Sequence, residues 1–342
     1  MTKNQRASID AAAAIVDPQG FRIAQAQERV TALEQVLNSH GVAIKPGTKL
    51  EQVALSVFDA LYQRDAAPSD PTADIRIGFK HLIGLNELSG LLLGLKDHPE
   101  FPTLIPHLRL LNDGLGIQNM PSSAVDQATN KVFELYMALL ALQCGNNLEL
   151  DDQNSQGRNP DVLITINGRR WGFACKTLHG TNPEGFIQHL EKGIDQIEKS
   201  PAEAGVVVFT IKNIIDQSRY WQHTNPEETF KGAEAEFSAF SDPLAPFILL
   251  REDANAIGND LTRYLPEGYL NNAFAGKKCI PGFLICAHVV TAVVFEGIPV
   301  PTSAKLMAWQ HVGTTLAEDM AVLNCIHEAG YSFDKPSPRP AS

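Results

Sequence analysis

Asn159-Pro160-Asp161-Val162-Leu163-Ile164-Thr165-Ile166-Asn167-Gly168-Arg169-Arg170-Trp171-Gly172-Phe173-Ala174-Cys175-Lys176-Thr177 is the stretch whose reading decides the fold. Two β-rich runs flank Asn167-Gly168, a dipeptide that readily supplies the two positive-φ positions of a tight hairpin turn. With the loop there, Asp161 lies opposite Ala174 and Asn159 opposite Lys176, so Asp161 and Lys176 are diagonal neighbours on one face. Alternation puts Val162, Ile164, Ile166, Trp171 and Phe173 on the other face, apolar except for Arg169 at the turn, which reads as the core side. The opposite face carries an acid, a lysine and a small alanine between them.

A further charge lies upstream. Val132-Phe133-Glu134-Leu135-Tyr136-Met137-Ala138-Leu139-Leu140 reads as a largely buried helix interrupted by Glu134. A carboxylate there needs a partner or a metal, and Lys131, three residues back on the helix, is an available partner. After Lys176, Asn182-Pro183 starts a helix running to about Ser200 with Ile187, Leu190, Ile194 and Ile197 as its buried stripe, and Gly205 to Ile211 is an apolar strand.

The order of these parts resembles the PD-(D/E)XK, or restriction-endonuclease-like, nuclease superfamily, over about a quarter of the chain. The resemblance implies an α/β domain with a central mixed sheet flanked by helices. It makes Glu134 the helix carboxylate, Asp161 the strand acid and Lys176 the signature lysine, all catalytic. Glu134, Asp161 and the backbone carbonyl of Cys175 would hold Mg²⁺ or Mn²⁺ for phosphodiester hydrolysis, with Lys176 steadying developing negative charge or the attacking water. The chain departs from the pattern at Ala174, where the family places a second acid. Glu191, whose helical stripe also carries Gln188 and Asp195, is one acid that has a position from which to replace it, and the alanine itself would leave space at 174.

The implied substrate is DNA in preference to RNA, in a bacterial defence or restriction setting. The alternative is a degenerate nuclease-fold protein acting as a nucleic-acid-binding or scaffold subunit. Across 342 residues the net charge is −11, so the overall field does not attract nucleic acid. Contact would rely on a partner protein, a homo-oligomer, or a local patch such as Arg158, Arg169, Arg170, Lys192 and Lys199. Tyr220, Trp221, His223, Phe230, Phe237 and Phe240 offer stacking surfaces, although aromatics in a long connection more often pack it down.

The remaining sequence divides into a helical amino-terminal region (1–118), the nuclease-like domain (119–335) and a Pro-rich tail (336–342). A mobile lead-in to Gly20 precedes helices expected at 22–39, ending at Gly41, and at 50–63, opened by the Thr48-Glu51 capping box. A loop at 65–72 follows, then helices at 82–95 and 103–111. Ser122 or Ser123 is placed to cap the Glu134 helix, 247–250 and 281–295 read as strands, and 307–329 as a closing helix. His81, His98 and His107 match no metal spacing and read as structural. The five dispersed cysteines point to reduced thiols in a cytoplasm, with Cys175 a small buried hydrophobe. The polar amino terminus shows no signal peptide or membrane span. No repeat is present, and without a Gly-x-x-x-x-Gly-Lys loop ATP-driven activity is not expected.

Overall fold

The turn forms as its dipeptide requires: Asn167 and Gly168 take φ values of 53° and 78°. In the computed structural model, which describes residues 23–62, 75–114, 116–151, 159–221, 239–295 and 298–331, strands β2 (Val162–Ile166) and β3 (Arg169–Thr177) pair antiparallel on either side of it. Val162 faces Phe173 and Ile164 faces Trp171, the register expected from the loop. Strand β1 (Asn146–Leu150) pairs antiparallel with the outer side of β2. On the other side β4 (Ala204–Thr210) and β5 (Cys279–Phe295) run parallel to β3, and β6 (Ile298–His311) returns antiparallel. The result is an α/β structure on a six-stranded mixed sheet in the order β1-β2-β3-β4-β5-β6.

Both faces of the sheet are covered. Val162, Ile164, Ile166, Trp171, Phe173 and Cys175 pack with α5 (Gln127–Leu142) and the amino-terminal helices α1 (Ile23–Ser39), α2 (Lys49–Tyr62) and α3 (Ile75–Leu95). Leu163, Ala174, Val207 and Phe209 pack beneath α6 (Pro183–Lys199) and α7 (Ala245–Thr262). The face expected to be marked by charge is therefore a second core, because β3, β4 and β5 are parallel neighbours and their connections lay helices over it. Gly193 brings α6 close, since a Cβ there would lie 2.9 Å from both Val207 methyl groups. Asn182 caps this helix by accepting the Glu184 N–H.

Several expectations are corrected. Phe247 to Leu250 belong to helix α7, where Pro246 sits at the helix start. Residues 307–311 extend β6, and the closing helix, α9, begins only at Ala317 (Ala317–Tyr331) after α8 (Tyr269–Phe274) and the two long strands. Segment 103–111 is broken into the five-residue α4 (Ile105–Arg109) between two 3₁₀ turns. Asp126, not Ser122 or Ser123, caps α5 by accepting the Thr129 N–H at 3.0 Å. Cys144 and Cys325 form a disulfide joining the end of α5 to α9, against the expectation of reduced thiols throughout, while Cys175, Cys279 and Cys286 are free and buried. The lead-in, the 65–72 loop and the 336–342 tail lie outside the described residues. No helix among the described residues is long and apolar enough to cross a membrane.

A buried charge network ties the amino-terminal helices to the sheet. Glu87 of α3 receives the Tyr136 hydroxyl of α5 at 3.2 Å and lies 2.7 Å from the Lys305 ammonium of β6 and 3.0 Å from His288 Nε2 of β5. All four residues are buried. Burial, aided by the cations Lys305 and Lys212 and opposed by Glu87, pulls His288 from 6.5 to about 4. Between those values the unfolded chain binds the proton more readily, so this contribution to stability is lost as pH falls from 6.5 toward 4. Urea unfolding of the wild type and of His288→Gln at pH 7 and pH 4 should show a difference that shrinks by on the order of 3 kcal/mol on acidification. A difference independent of pH would mean that His288 is not held neutral.

Candidate functional site

Pro160 has no N–H to donate, and the β2–β3 ladder closes two residues later, at Val162 opposite Phe173. Gly172 lets the proline ring lie against β3, since a Cβ there would meet Pro160 Cγ at 3.0 Å. Asp161 thus stands where the two strands part. Its carboxylate takes over the pairing: Oδ2 accepts the Cys175 backbone N–H at 2.6 Å and the Lys176 ammonium at 3.3 Å. The Asp161 carbonyl accepts the Asp151 N–H at 3.0 Å, continuing the pairing toward β1.

Lys176 is held from three sides. Besides Asp161, it donates to the Cys175 carbonyl at 3.0 Å and to Gln196 Oε1 of α6 at 2.7 Å. Gln196 is itself fixed by donating to the Asn159 carbonyl at 3.0 Å. Lys176 and Asp161 are both buried, so the pair depends on these extra hydrogen bonds to offset desolvation.

Glu134 enters from α5 on the opposite side of the sheet end. Its Oε2 lies 2.6 Å from the Lys131 ammonium and 3.4 Å from His107 Nε2. Burial, then the nearby Asp161 carboxylate, hold Glu134 above the ordinary glutamate value against the pull of His107 and Lys131. Asp161 and Glu134 therefore sense each other across the site. Lys131 responds to both: burial works against its charge, yet Glu134, Asp161 and Asp151 outweigh that and raise it. The structure thus brings Asp161 and Lys176 into contact, with Glu134 within electrostatic reach of Asp161. The Cys175 thiol is pushed well up by burial, then by Asp161 and Glu134, which leaves it a poor nucleophile.

The proposals for a compensating acid are corrected. Glu191 is exposed and accepts the Tyr269 hydroxyl at 2.6 Å, on the outside of α6. Asp195 pairs with Lys199 at 2.6 Å in solvent. Ala174 has no open space beside it: it is fully buried, and a Cβ on Gly193 would be 3.4 Å from its own Cβ. Because α6 covers that face, Ala174→Glu should unfold at lower urea, with a stability loss of about 3 kcal/mol or more from overpacking and a buried charge. Wild-type stability in that variant would show that the face is open.

Four residues around the site were not assigned to it from the sequence. His107 read as structural and Lys131 only as a helix partner of Glu134, while Asp151 and Gln196 were passed over. Gln196 left one signal, since it lies three residues after Gly193 on the closely packed side of α6. His107 and Asp151 could not be placed without knowing which elements meet, whereas Lys131 was legible from its spacing to Glu134.

The basic patch does not assemble as a free surface. Arg169 pairs with Asp319 at 2.7 Å and Arg170 with Glu149 at 2.5 Å. Lys192 is exposed, and Arg158 lies outside the described residues. Tyr220 and Trp221 are packed into the interior, and Phe240 bridges to Val293. His223, Phe230 and Phe237 lie outside the described residues.

Among the described residues, no three His, Cys, Asp or Glu side chains group closely enough to hold a metal by themselves. No protein-family model matches the chain, nor does any curated protein or solved structure.

Proposed function

We propose that this chain is a metal-dependent nuclease of the PD-(D/E)XK kind, hydrolysing phosphodiester bonds in DNA in preference to RNA and serving a bacterial defence or restriction system. The observation that carries the reading is the Asp161 carboxylate, fixed by the Cys175 N–H at the parting of two strands and set against the Lys176 ammonium. The element order supports it: a helix bearing Glu134, a three-stranded antiparallel meander, helix α6, then a parallel strand.

Glu134, Asp161 and the Cys175 carbonyl are the groups that would hold Mg²⁺ or Mn²⁺. They fit on two grounds: all are hard oxygens, and the repulsion by which Asp161 helps raise Glu134 is what a shared cation relieves. Two carboxylates with water filling the other positions is an ordinary Mg²⁺ environment. When bound, the ion supplies polarisation of a phosphoryl oxygen and an acidified water. Lys176 contributes a point charge whose direction Gln196 and the Cys175 carbonyl set in advance, so little reorganisation is needed as negative charge develops at the phosphate. On this reading, with a net charge of −11, substrate capture falls to a partner subunit or a second copy of the chain.

Plasmid, single-stranded DNA and RNA incubated with the protein should show cleavage of DNA that requires Mg²⁺ or Mn²⁺ and stops with EDTA. Asp161→Asn and Lys176→Gln should each reduce it by on the order of 10²–10³-fold with melting curves still cooperative. Unchanged cleavage by either variant would move the chemistry elsewhere.

The second reading is a non-catalytic nucleic-acid-binding or scaffold subunit. It is favoured by the way Lys131 and Lys176 each cover a carboxylate while Ala174 is sealed under α6. DNA binding by fluorescence anisotropy without cleavage under any divalent ion would select it.

A further inference from the structure

We propose that the carboxyl ends of β4 and β5 hold a buried site for a monatomic inorganic anion of chloride's size and charge, with Lys212 as its counter-charge and the Gln118 side-chain amide as a donor to it. The site is separate from the Asp161 and Lys176 pocket and does not depend on the nuclease reading.

A cavity of about 20 Å³ lies on the sheet face that α5 covers, lined in part by Gln118, Tyr136, Thr210, His288, Lys305 and Tyr331. That volume takes a water or a single small ion and excludes a phosphate ester or a nucleotide. The carboxyl ends of parallel strands are where α/β sheets commonly receive ligands. Gln118 is brought there by a segment pinned on either side of it. Before it, Ile117 packs so close to α3 that a Cβ on Gly84 would lie 2.5 Å from its own Cβ. After it, the Asn119 amide donates to the Lys80 carbonyl of α3 at 3.0 Å, and the Ser122 N–H donates to Asn213 Oδ1 at 2.6 Å.

Two buried groups in this region have no hydrogen-bond partner among the described residues. Gln118 is 8% exposed, and its side-chain amide meets no protein partner at either end. Lys212 is 1% exposed, and its ammonium meets none either. Its direction follows from the strand. Ile211 continues the ladder by donating its N–H to the Cys286 carbonyl at 3.0 Å, and its side chain packs into the cluster under α6 and α7. Alternation then turns Lys212 to the face of Thr210, and the register of Thr210 with Cys286 sets it beside His288.

The charges around the cavity do not balance. Glu87 neutralises Lys305 at 2.7 Å, and His288, pulled to about 4 by burial, is neutral at pH 7. Asp126, the acid whose charge reaches Lys212, is engaged by Lys49 at 2.6 Å and by Thr129. One ammonium is left in excess. Burial pulls Lys212 from 10.5 to about 8, so it is still mostly charged at pH 7, and a charge so deeply buried calls for a counter-ion. A water would serve the Gln118 amide and leave that charge as it is. An anion accepts from both Lys212 Nζ and Gln118 Nε2 and neutralises the excess, tying the segment before α5 to the strand ends.

Melting of the full chain in sodium chloride and in sodium gluconate at equal ionic strength, with crystals soaked in sodium bromide, tests this. Gluconate is too large for the cavity. The wild type should melt on the order of 3 °C higher in chloride, with a response that saturates, and Lys212→Met should lose that difference. Gln118→Glu, which builds a carboxylate into the same place, should lose it too and melt in gluconate at least as high as the wild type does. Bromide should give anomalous density in contact with Lys212 Nζ and Gln118 Nε2. Should Lys212→Met fail to fold, Gln118→Glu and the bromide density decide. Equal melting of the wild type in the two salts, an unchanged chloride response in either variant, or bromide found only outside the cavity each overturns the site.

Discussion

A carboxylate and an ammonium buried together at the mouth of a hairpin are the constraint on which the rest of this structure depends. Asp161 and Lys176 are each almost fully removed from water, and their mutual attraction does not by itself offset that cost. The surrounding chain supplies what is missing: the Cys175 N–H for Asp161, and the Cys175 carbonyl and Gln196 for Lys176. Those groups come from two elements, both Cys175 groups from β3 and Gln196 from α6. The β2–β3 turn sets the register, Pro160 stands where the strands part, and the close approach of α6 at Gly193 presents Gln196 from above.

The same covering explains where the site lies. A mixed sheet with parallel strands at its centre is buried on both faces, and the polar groups of this site collect where β2 and β3 part. Asp161 and Lys176 lie at such an end, with α5 and Glu134 on one side and α6 and Gln196 on the other. The amino-terminal helices share a hydrophobic cluster with α5 and the sheet, and the Glu87, His288, Lys305 and Tyr136 network fixes α3 to β5, β6 and α5. The helix that carries Glu134 is therefore braced from three directions, the third being the disulfide from Cys144 to α9. Bracing of this kind is what a site needs if its charged groups are to keep their spacing.

The two lysines at the site differ in their surroundings. One is caged among oxygens and suited to a fixed electrostatic role; the other is anchored to a single carboxylate and partly in water. An acid at position 174 would have altered this balance, but the packing of α6 on Ala174 closes that route. The charge economy of the site is thus set by a backbone approach that no titratable residue reveals.

How much of this was legible in the chain follows from the range of the interactions involved. The hairpin, its register and the diagonal relation of Asp161 to Lys176 depend on a two-residue turn and strict alternation, and both are local properties of the sequence. The helix around Glu134, its pairing with Lys131 three residues away, and the Asn182 cap are local for the same reason. Segment 247–250 was read as strand because a short apolar run carries no period of its own, and the helix there is stabilised by packing on β5 and β6. His107, Asp151, Gln196 and the Cys144 to Cys325 bond became visible only in three dimensions, since each joins residues from separate elements across the fold. The sequence by itself determined β2, β3, the turn between them and the diagonal relation of Asp161 to Lys176. Tertiary structure alone decided that both faces of the sheet are buried, that Ala174 has no room for an acid, and which distant side chains reach the site, because those outcomes depend on how helices pack over strands.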